Sequence, residues 1–172
     1  MRMRRVLVAV LFSLGFPVFG SAQDWSPLQF LLGRWTTDQP RGGERAHGTG
    51  SFHFAPDLQG RILLRKNFAE YPAENGKPAY RHDDLMVVYR NQAGEIRASY
   101  FDNEGHVIEY GVTVADGSAV FLSKGPATAT RYRLTYKASA VEHLNLKFEI
   151  APPGKDFSTY IDASVHRDRS ER

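Results

Sequence analysis

Hydrophobic and polar residues alternate along most of the chain after Gly33, and this period of two is typical of strands with one buried face. The alternation is clearest in residues 143–150, where every second residue is leucine, phenylalanine or isoleucine. Turn-forming groups separate about ten such segments. They include Asp57–Gly60, Asn91–Gly94, Asp102–Gly105 and Asp116–Gly117. The pattern predicts an all-β fold, a sandwich or, as we favour, an up-and-down antiparallel β-barrel of about ten strands.

The face that the alternation places inside is apolar but rich in tyrosine. We interpret its aromatic residues as candidate ligand-binding residues of the lumen: Phe52, Phe54, Tyr100, Tyr110, Tyr132, Tyr136 and Phe148. A buried tyrosine hydroxyl needs a hydrogen-bond partner, so such a lumen must hold water, polar neighbours or a ligand. The alternative, which we favour, is that the tyrosines reach the barrel rim, where their rings are buried and their hydroxyl groups meet water.

Residues 61–71 and 80–90 are ambiguous, because the alternation does not decide which of their faces is inside. We place Ile62, Leu64 and Phe68 inside. This choice puts Arg65 and Asn67 outside. In the last segment, strict alternation puts Phe157, Thr159 and Ile161 inside and Tyr160 outside.

The N-terminal residues have the three parts of a cleavable secretory signal peptide. Met1–Arg5 is basic, Val6–Phe19 is largely apolar, and Gly20–Ala22 offers small residues for cleavage. The apolar stretch is about 14 residues long, whereas a membrane span needs about 20, so a membrane anchor is the weaker interpretation. We expect residues 1–22 to be removed and the mature protein to be periplasmic or secreted.

The rest of the chain is predicted to form one β-barrel domain, residues 23–168, followed by a polar tail at 169–172. A short helix is expected to begin the domain. Ser26 is its candidate N-cap, Pro27 stands at its first position, and Gly33 ends it.

Composition and charge exclude several classes of protein. The chain has 172 residues, with 22 basic and 19 acidic residues and a formal net charge of +3. Arg2, Arg4 and Arg5 lie in the predicted signal peptide, so the mature protein is formally neutral and is not expected to bind nucleic acid or a membrane surface. The absence of cysteine excludes disulfides, thiolate metal sites and cysteine nucleophiles.

Three short stretches resemble the calycin superfamily of lipocalin-like barrels, and more closely its ten-stranded, nitrobindin-like branch of secreted bacterial proteins. They are Phe30–Trp35, Asp57–Arg61 and Tyr100–His106. The resemblance covers about residues 27–168 and implies a lumen closed at one end by Trp35 under a basic residue of the last strand. Arg167 shares the inner face of that strand, so we expect a structural cation–π pair of Trp35 and Arg167.

Nitrobindin-like proteins bind haem through a histidine on a late strand, which points to His166. If Arg167 faces inward, however, His166 faces outward, because neighbouring residues of a strand alternate. The nearby inward positions Thr159, Ile161 and Ala163 offer no iron ligand. We therefore predict no haem and no other cofactor.

Few residues suggest catalysis, and the chain lacks the common hydrolase, zinc-protease, phosphate-loop and dinucleotide motifs. His47 and His53 share a face but lie about 20 Å apart along a strand, too far for one metal ion. His82 and Asp84 could form an acid–base pair or half of a metal site, although we favour a solvated outer face or a strand end. A surface role is also favoured for Glu104 and His106. No catalytic residue and no metal site are therefore assigned.

The leading hypothesis is a barrel that binds or carries a small, largely apolar molecule in its lumen. The first alternative is an enzyme of the same fold, a hydrolase, isomerase or cyclase. It requires an acid or base from a small polar set to enter the lumen: Arg65, Asn67, His82 and Asp84. The second is a filled barrel of the cell envelope that contacts partners through outward residues such as Phe101 and Tyr160.

Overall fold

The computed structural model describes residues 22–42, 48–74, 76–126 and 128–169, the side chains of residues 39–42 excepted. The signal-peptide prediction therefore falls, except for Ala22, outside the described residues. So do His47 and all of the tail after Arg169.

Ten antiparallel strands close into one barrel, in which each strand pairs with its neighbours in sequence and β1 pairs with β10. The prediction of an all-β up-and-down barrel with a short N-terminal helix is confirmed. The helix is a 3₁₀ helix, Ser26–Leu31. The strands are β1 Gly33–Gly42, β2 Thr49–Asp57, β3 Ile62–Tyr71, β4 Tyr80–Arg90, β5 Ile96–Asp102, β6 Val107–Ala115, β7 Ser118–Ser123, β8 Arg131–Ala140, β9 His143–Ala151 and β10 Ser158–Arg167.

The 3₁₀ helix covers one end of the barrel. Leu28 and Leu31 are fully buried there, and the Trp25 indole donates a hydrogen bond to the Gly60 carbonyl at 2.9 Å. The predicted N-cap is wrong by one residue, because Trp25 caps the helix and Ser26 is its first residue. Asp24 Oδ1 accepts the Ser26 N–H instead, and this hydrogen bond lowers the pKa of the Asp24 carboxyl.

The turn between β2 and β3 corrects the predicted inner face of both β3 and β4. Asp57 pairs with Ile62, and this register puts Arg65 directly opposite the inward-facing Phe54. Leu63, Arg65 and Asn67 therefore face the lumen, and the prediction that Ile62, Leu64 and Phe68 do so is wrong. Pairing of β3 with β4 then turns His82, Asp84, Met86 and Val88 inward.

A β-bulge in β10 corrects the predicted faces at the start of that strand. Thr159 pairs with the outward Glu149, whereas Ile161 pairs with the inward Phe148, so Tyr160 is the extra residue. Tyr160 is turned into the lumen rather than outward, and Thr159 is not on the inner face. Phe157 is also wrongly predicted, because it packs beneath the guanidinium of the outward-facing Arg133, 4.3 Å from its ring centroid.

An aromatic layer fills the part of the barrel nearest the helix. Phe54, Tyr110, Phe121 and Tyr136 are buried and meet through edge-to-face contacts with ring centroids 5.7–6.2 Å apart. Such pairs stabilise the core beyond the burial of their area. We call this layer the aromatic floor, because the cavity lies between it and the other end of the barrel.

Candidate functional site

A cavity of about 300 Å³ lies above the aromatic floor and extends to the end of the barrel opposite the helix. This volume is at the lower end of the range for small-molecule sites. Strands from opposite sides of the closed sheet line it. The two sides differ in chemistry, and we name them the apolar wall and the polar wall.

The apolar wall comes from β8, β9 and β10. Its residues are Tyr132, Leu134, Leu146, Phe148, Ile150, Ile161, Ala163 and Val165. The rings of Tyr132 and Phe148 are parallel, with centroids 6.1 Å apart, and Tyr160 meets Phe148 edge-on at the same distance. This wall offers flat aromatic and branched aliphatic surface to a ligand.

The polar wall comes from β3, β4 and β5 and from the turn that follows β5. Its residues are Arg65, Asn67, His82, Asp84, Tyr100, Asp102, Glu104 and His106. The first four are the set on which the enzyme hypothesis depends, and the structure brings all of them into the lumen. The expectation of a solvated outer face for His82 and Asp84 is wrong, because the register of β4 turns both inward, although His82 does lie near the end of its strand.

A buried ion pair forms the inner part of the polar wall. Arg65 is only 4% exposed, and its Nη1 lies 3.3 Å from Asp84 Oδ1. Asn67 donates a 2.7 Å hydrogen bond to Asp84 Oδ2. Burial is the largest influence on Arg65 and opposes its charge, but Asp84 and three nearby tyrosines together outweigh it and raise the pKa of the guanidinium. Arg65 Nε is buried and has no hydrogen-bond partner among the described residues.

His82 connects the ion pair to the mouth of the cavity. Its Nε2 lies 2.9 Å from the Tyr100 hydroxyl and 3.4 Å from Asp84 Oδ2, whereas Nδ1 lies 3.1 Å from Glu104 Oε1. Tyr80 also donates a 2.6 Å hydrogen bond to Glu104. The hydrogen bond with Asp84 is the largest cause of a raised His82 pKa, which burial partly opposes.

Tyr100 extends the same network toward solvent. Its hydroxyl donates a 3.2 Å hydrogen bond to Asp102 Oδ2, and His106 Nδ1 lies 2.9 Å from that oxygen. Burial raises the pKa of Tyr100, so its phenol stays protonated. Burial acts on Asp102 in the same direction, but the hydrogen bonds from His106 and Glu104 outweigh it and lower the pKa of this carboxyl. Titratable groups thus form a continuous chain from the half-exposed His106 to the buried Asp84.

The predicted ligand-binding residues all face inward: some line the cavity, some lie in its floor, and Tyr110 does both. The cavity is lined by Phe52, Tyr100, Tyr110, Tyr132 and Phe148. Phe54 and Tyr136 lie in the aromatic floor and are fully buried. Their role in ligand binding stays a prediction.

Sequence reasoning missed the inward orientation of Arg65, Asn67, His82 and Asp84. The signal that could have found it lies in the turn after β2. Leu58, Gln59 and Gly60 have positive φ values, and this turn pairs Asp57 with Ile62. Had that register been known, the inward Phe52 and Phe54 would have fixed the face of β3.

The closed end of the barrel holds the predicted pair of Trp35 and Arg167. The guanidinium carbon of Arg167 lies 4.3 Å from the Trp35 ring centroid, and Nη1 donates to the Leu32 carbonyl. Gly33 permits this approach, because a Cβ there would lie 2.5 Å from Arg167 Nη1 and its φ is +101°. His166 lies on the outer face beside Asp38 and is not placed to ligate a haem in the lumen.

No group of three or more histidine, aspartate or glutamate side chains is arranged to hold a metal ion among the residues that the structure describes. None of the helices in those same ranges is long and apolar enough to cross a membrane.

Fold and site together define a closed ten-stranded antiparallel β-barrel with a lumen of two unlike walls. Comparison of the sequence with protein-family models and with curated proteins finds no match.

Proposed function

We propose that the protein is a calycin-like barrel that binds a small, largely apolar molecule with one hydrogen-bonding group. The observation that carries this proposal is the cavity between the apolar wall and the polar wall. An apolar or aromatic body fits against Tyr132, Leu146 and Phe148. A polar group then reaches Arg65, His82 or Asp84 on the other side.

The buried charges support binding rather than a purely structural lumen. Burying ions is unfavourable unless they are well paired, and a core of apolar residues would fill the space more cheaply. Here the charged Arg65 lines the cavity, with 5% of its side chain accessible. A ligand atom that accepts a hydrogen bond would pair with this cation.

Two further observations bear on where the protein acts and on the family to which it belongs. The basic and apolar residues before Gln23 favour export, so we propose that the mature barrel acts in the periplasm or outside the cell. The stretch Phe30–Trp35, the 3₁₀ helix and the Trp35–Arg167 contact at the closed end support membership of the calycin superfamily. Mass spectrometry of the exported protein should give a chain that begins at Gln23.

Binding of a neutral fluorescent probe tests the proposal. We expect N-phenyl-1-naphthylamine to bind the exported protein saturably, with one site per barrel and a blue-shifted emission. Leu146→Trp places an indole in the cavity and should reduce the affinity at least about tenfold, which corresponds to 1.4 kcal/mol. Lys147→Trp makes the same change on the outer face of β9 and should leave binding unchanged.

Two results would contradict the proposal. One is an absence of saturable binding by a folded barrel. The other is equal binding by both tryptophan variants, because a probe that ignores an indole in the lumen does not occupy it.

A further inference from the structure

We propose that the polar wall is an acid–base site that moves a proton on a carbonyl compound held in the lumen. This inference rests on the proposed function, because the substrate must first bind between the two walls. The substrate class is a small ketone with an apolar body and a C–H bond next to the carbonyl group. The reaction class is isomerisation by proton transfer, which needs no cofactor.

His82 is placed to take the proton. Its Nδ1 lies 3.1 Å from Glu104 Oε1, so the neutral ring donates the Nδ1–H to this carboxylate and keeps its lone pair on Nε2. Nε2 lies 2.9 Å from the hydroxyl of Tyr100, and both side chains line the cavity. That hydroxyl has a second acceptor, Asp102 Oδ2, at 3.2 Å. A substrate that enters between the two side chains displaces this hydroxyl from Nε2, so that it donates to Asp102 alone and leaves the Nε2 lone pair to act as a base.

Arg65 is placed to hold the carbonyl oxygen. Arg65 lines the cavity, is only 4% exposed, and is held in place by its ion pair with Asp84. One carboxylate, Asp84, bridges Arg65 and His82 through its two oxygens, at 3.3 Å and 3.4 Å. A fixed cation and a base are therefore held on the same wall, as proton abstraction next to a carbonyl requires.

The step balances without a further reactant. The C–H bond next to the carbonyl breaks, its proton passes to His82 Nε2, and its electron pair forms an enolate whose oxygen accepts hydrogen bonds from Arg65. The carboxylates of Asp84 and Glu104 stabilise the imidazolium that results. Return of a proton to the same carbon exchanges hydrogen with solvent. Return to the γ-carbon of a β,γ-unsaturated ketone moves the double bond into conjugation.

Hydrogen exchange in D₂O tests this step directly. The exported protein is mixed with 2-indanone, 2-tetralone or 4-phenyl-2-butanone, and loss of the proton signal next to the carbonyl is followed by NMR. Binding of each ketone is measured in parallel by displacement of N-phenyl-1-naphthylamine. We expect at least one ketone to bind and to exchange at least about 100-fold faster than in buffer, within the usual range for a positioned base.

Two variants assign the effect to the polar wall. His82→Gln should lose the acceleration while circular dichroism shows an intact barrel, whereas His53→Gln, an outward histidine on β2, should keep both probe binding and the acceleration. Glu104→Gln tests whether the Glu104 carboxylate positions the His82 ring and stabilises its charged form. The exchange rate of the unaltered protein should rise with pH as His82 loses its proton, and removing the Glu104 carboxylate should move this inflection to lower pH. Glu104 is about half exposed, so this variant serves as the test if His82→Gln does not fold.

The results separate this inference from the proposed function. Ketones that bind but exchange at the buffer rate would overturn the acid–base site and leave ligand binding intact. Probe binding without ketone binding would also overturn it, and so would equal acceleration by His82→Gln. If neither the probe nor any ketone binds, the proposed function fails as well.

Discussion

The two ends of the barrel each contain an inward-facing arginine, and the two arginines have unlike surroundings. At the closed end, Arg167 lies over the Trp35 ring and donates to the Leu32 carbonyl, both neutral partners. In the open half, Arg65 pairs with Asp84 and keeps a donor without a partner among the described residues. An inward arginine is structural where it packs on neutral groups away from the cavity, as Arg167 does. It is a candidate binding group where it lines the cavity as a charged side chain, as Arg65 does.

The largest effect is expected at the closed end. Trp35→Ala removes a buried ring that stacks on Phe52 and lies beneath Arg167. It should lower the free energy of unfolding by about 3–5 kcal/mol, measured by urea denaturation. Phe101→Ala, at an outer position that is 41% exposed, should lower it by less than about 1 kcal/mol. Equal losses would show that the closed end is not a packed core.

The next effect is expected in the open half. Asp84→Ala leaves Arg65 as an unpaired buried cation and should lower the free energy of unfolding by about 3 kcal/mol. Asp83→Ala, next to it on the outer face, breaks the half-exposed pair with Arg81 and should change it by less than about 1 kcal/mol.

A double variant separates stability from function in this half. Arg65→Met combined with Asp84→Leu replaces the ion pair with apolar side chains of similar size. We expect a free energy of unfolding within about 1 kcal/mol of the unaltered protein, because the burial of charge is removed together with the pairing. The ketone exchange should be lost. A stable double variant that still accelerates exchange would contradict the role of Arg65.

A smaller effect is expected from Arg167→Met. It removes the cation over Trp35 and the hydrogen bond to Leu32, and should lower the free energy of unfolding by about 1–2 kcal/mol. The affinity for N-phenyl-1-naphthylamine should not change, since the closed end lies beyond the aromatic floor. A loss of affinity in a folded variant would show that the two ends are coupled.

The smallest effect concerns pH. His82 faces Tyr80, Asp84, Tyr100 and Glu104, and its pKa is raised, so its charged form stabilises the folded state. This contribution is fully present below the unfolded pKa of about 6.5 and is lost as pH rises through the folded pKa. The stability difference between the unaltered protein and His82→Gln should therefore shrink from pH 6 to pH 9 in urea unfolding. A difference that grows over this window would contradict the sign.

The sequence predicts which residues of a strand face inward only where one face of the strand is apolar and the other is polar. In β8 and β9, alternation separates Leu134 and Leu146 from charged neighbours, and their inward orientation follows at once. In β3, Leu63 shares its face with Arg65, whereas Leu64 shares its face with Lys66, so composition alone does not choose. Only the register of the turn after Asp57 decides, and that register depends on backbone angles that the residue types do not fix.

The sequence also did not predict that the polar residues of the candidate site face the lumen. Polar residues are normally exposed, so a strand carrying Arg65 or Asp84 is expected to turn them toward water. A lumen that binds a polar group reverses this preference. The bulge at Tyr160 limits prediction from the sequence in a second way. One extra residue in β10 reverses which of the preceding residues face inward and which face outward.

The most direct test of a ligand-binding lumen is an isotope-filtered NMR measurement on the barrel saturated with N-phenyl-1-naphthylamine. We expect nuclear Overhauser effects between the probe and the rings of Tyr132 and Phe148, with the chemical shift of His82 changing on binding. Contacts confined to the exposed Phe101 and Val107 on the outer face would contradict a ligand site in the lumen.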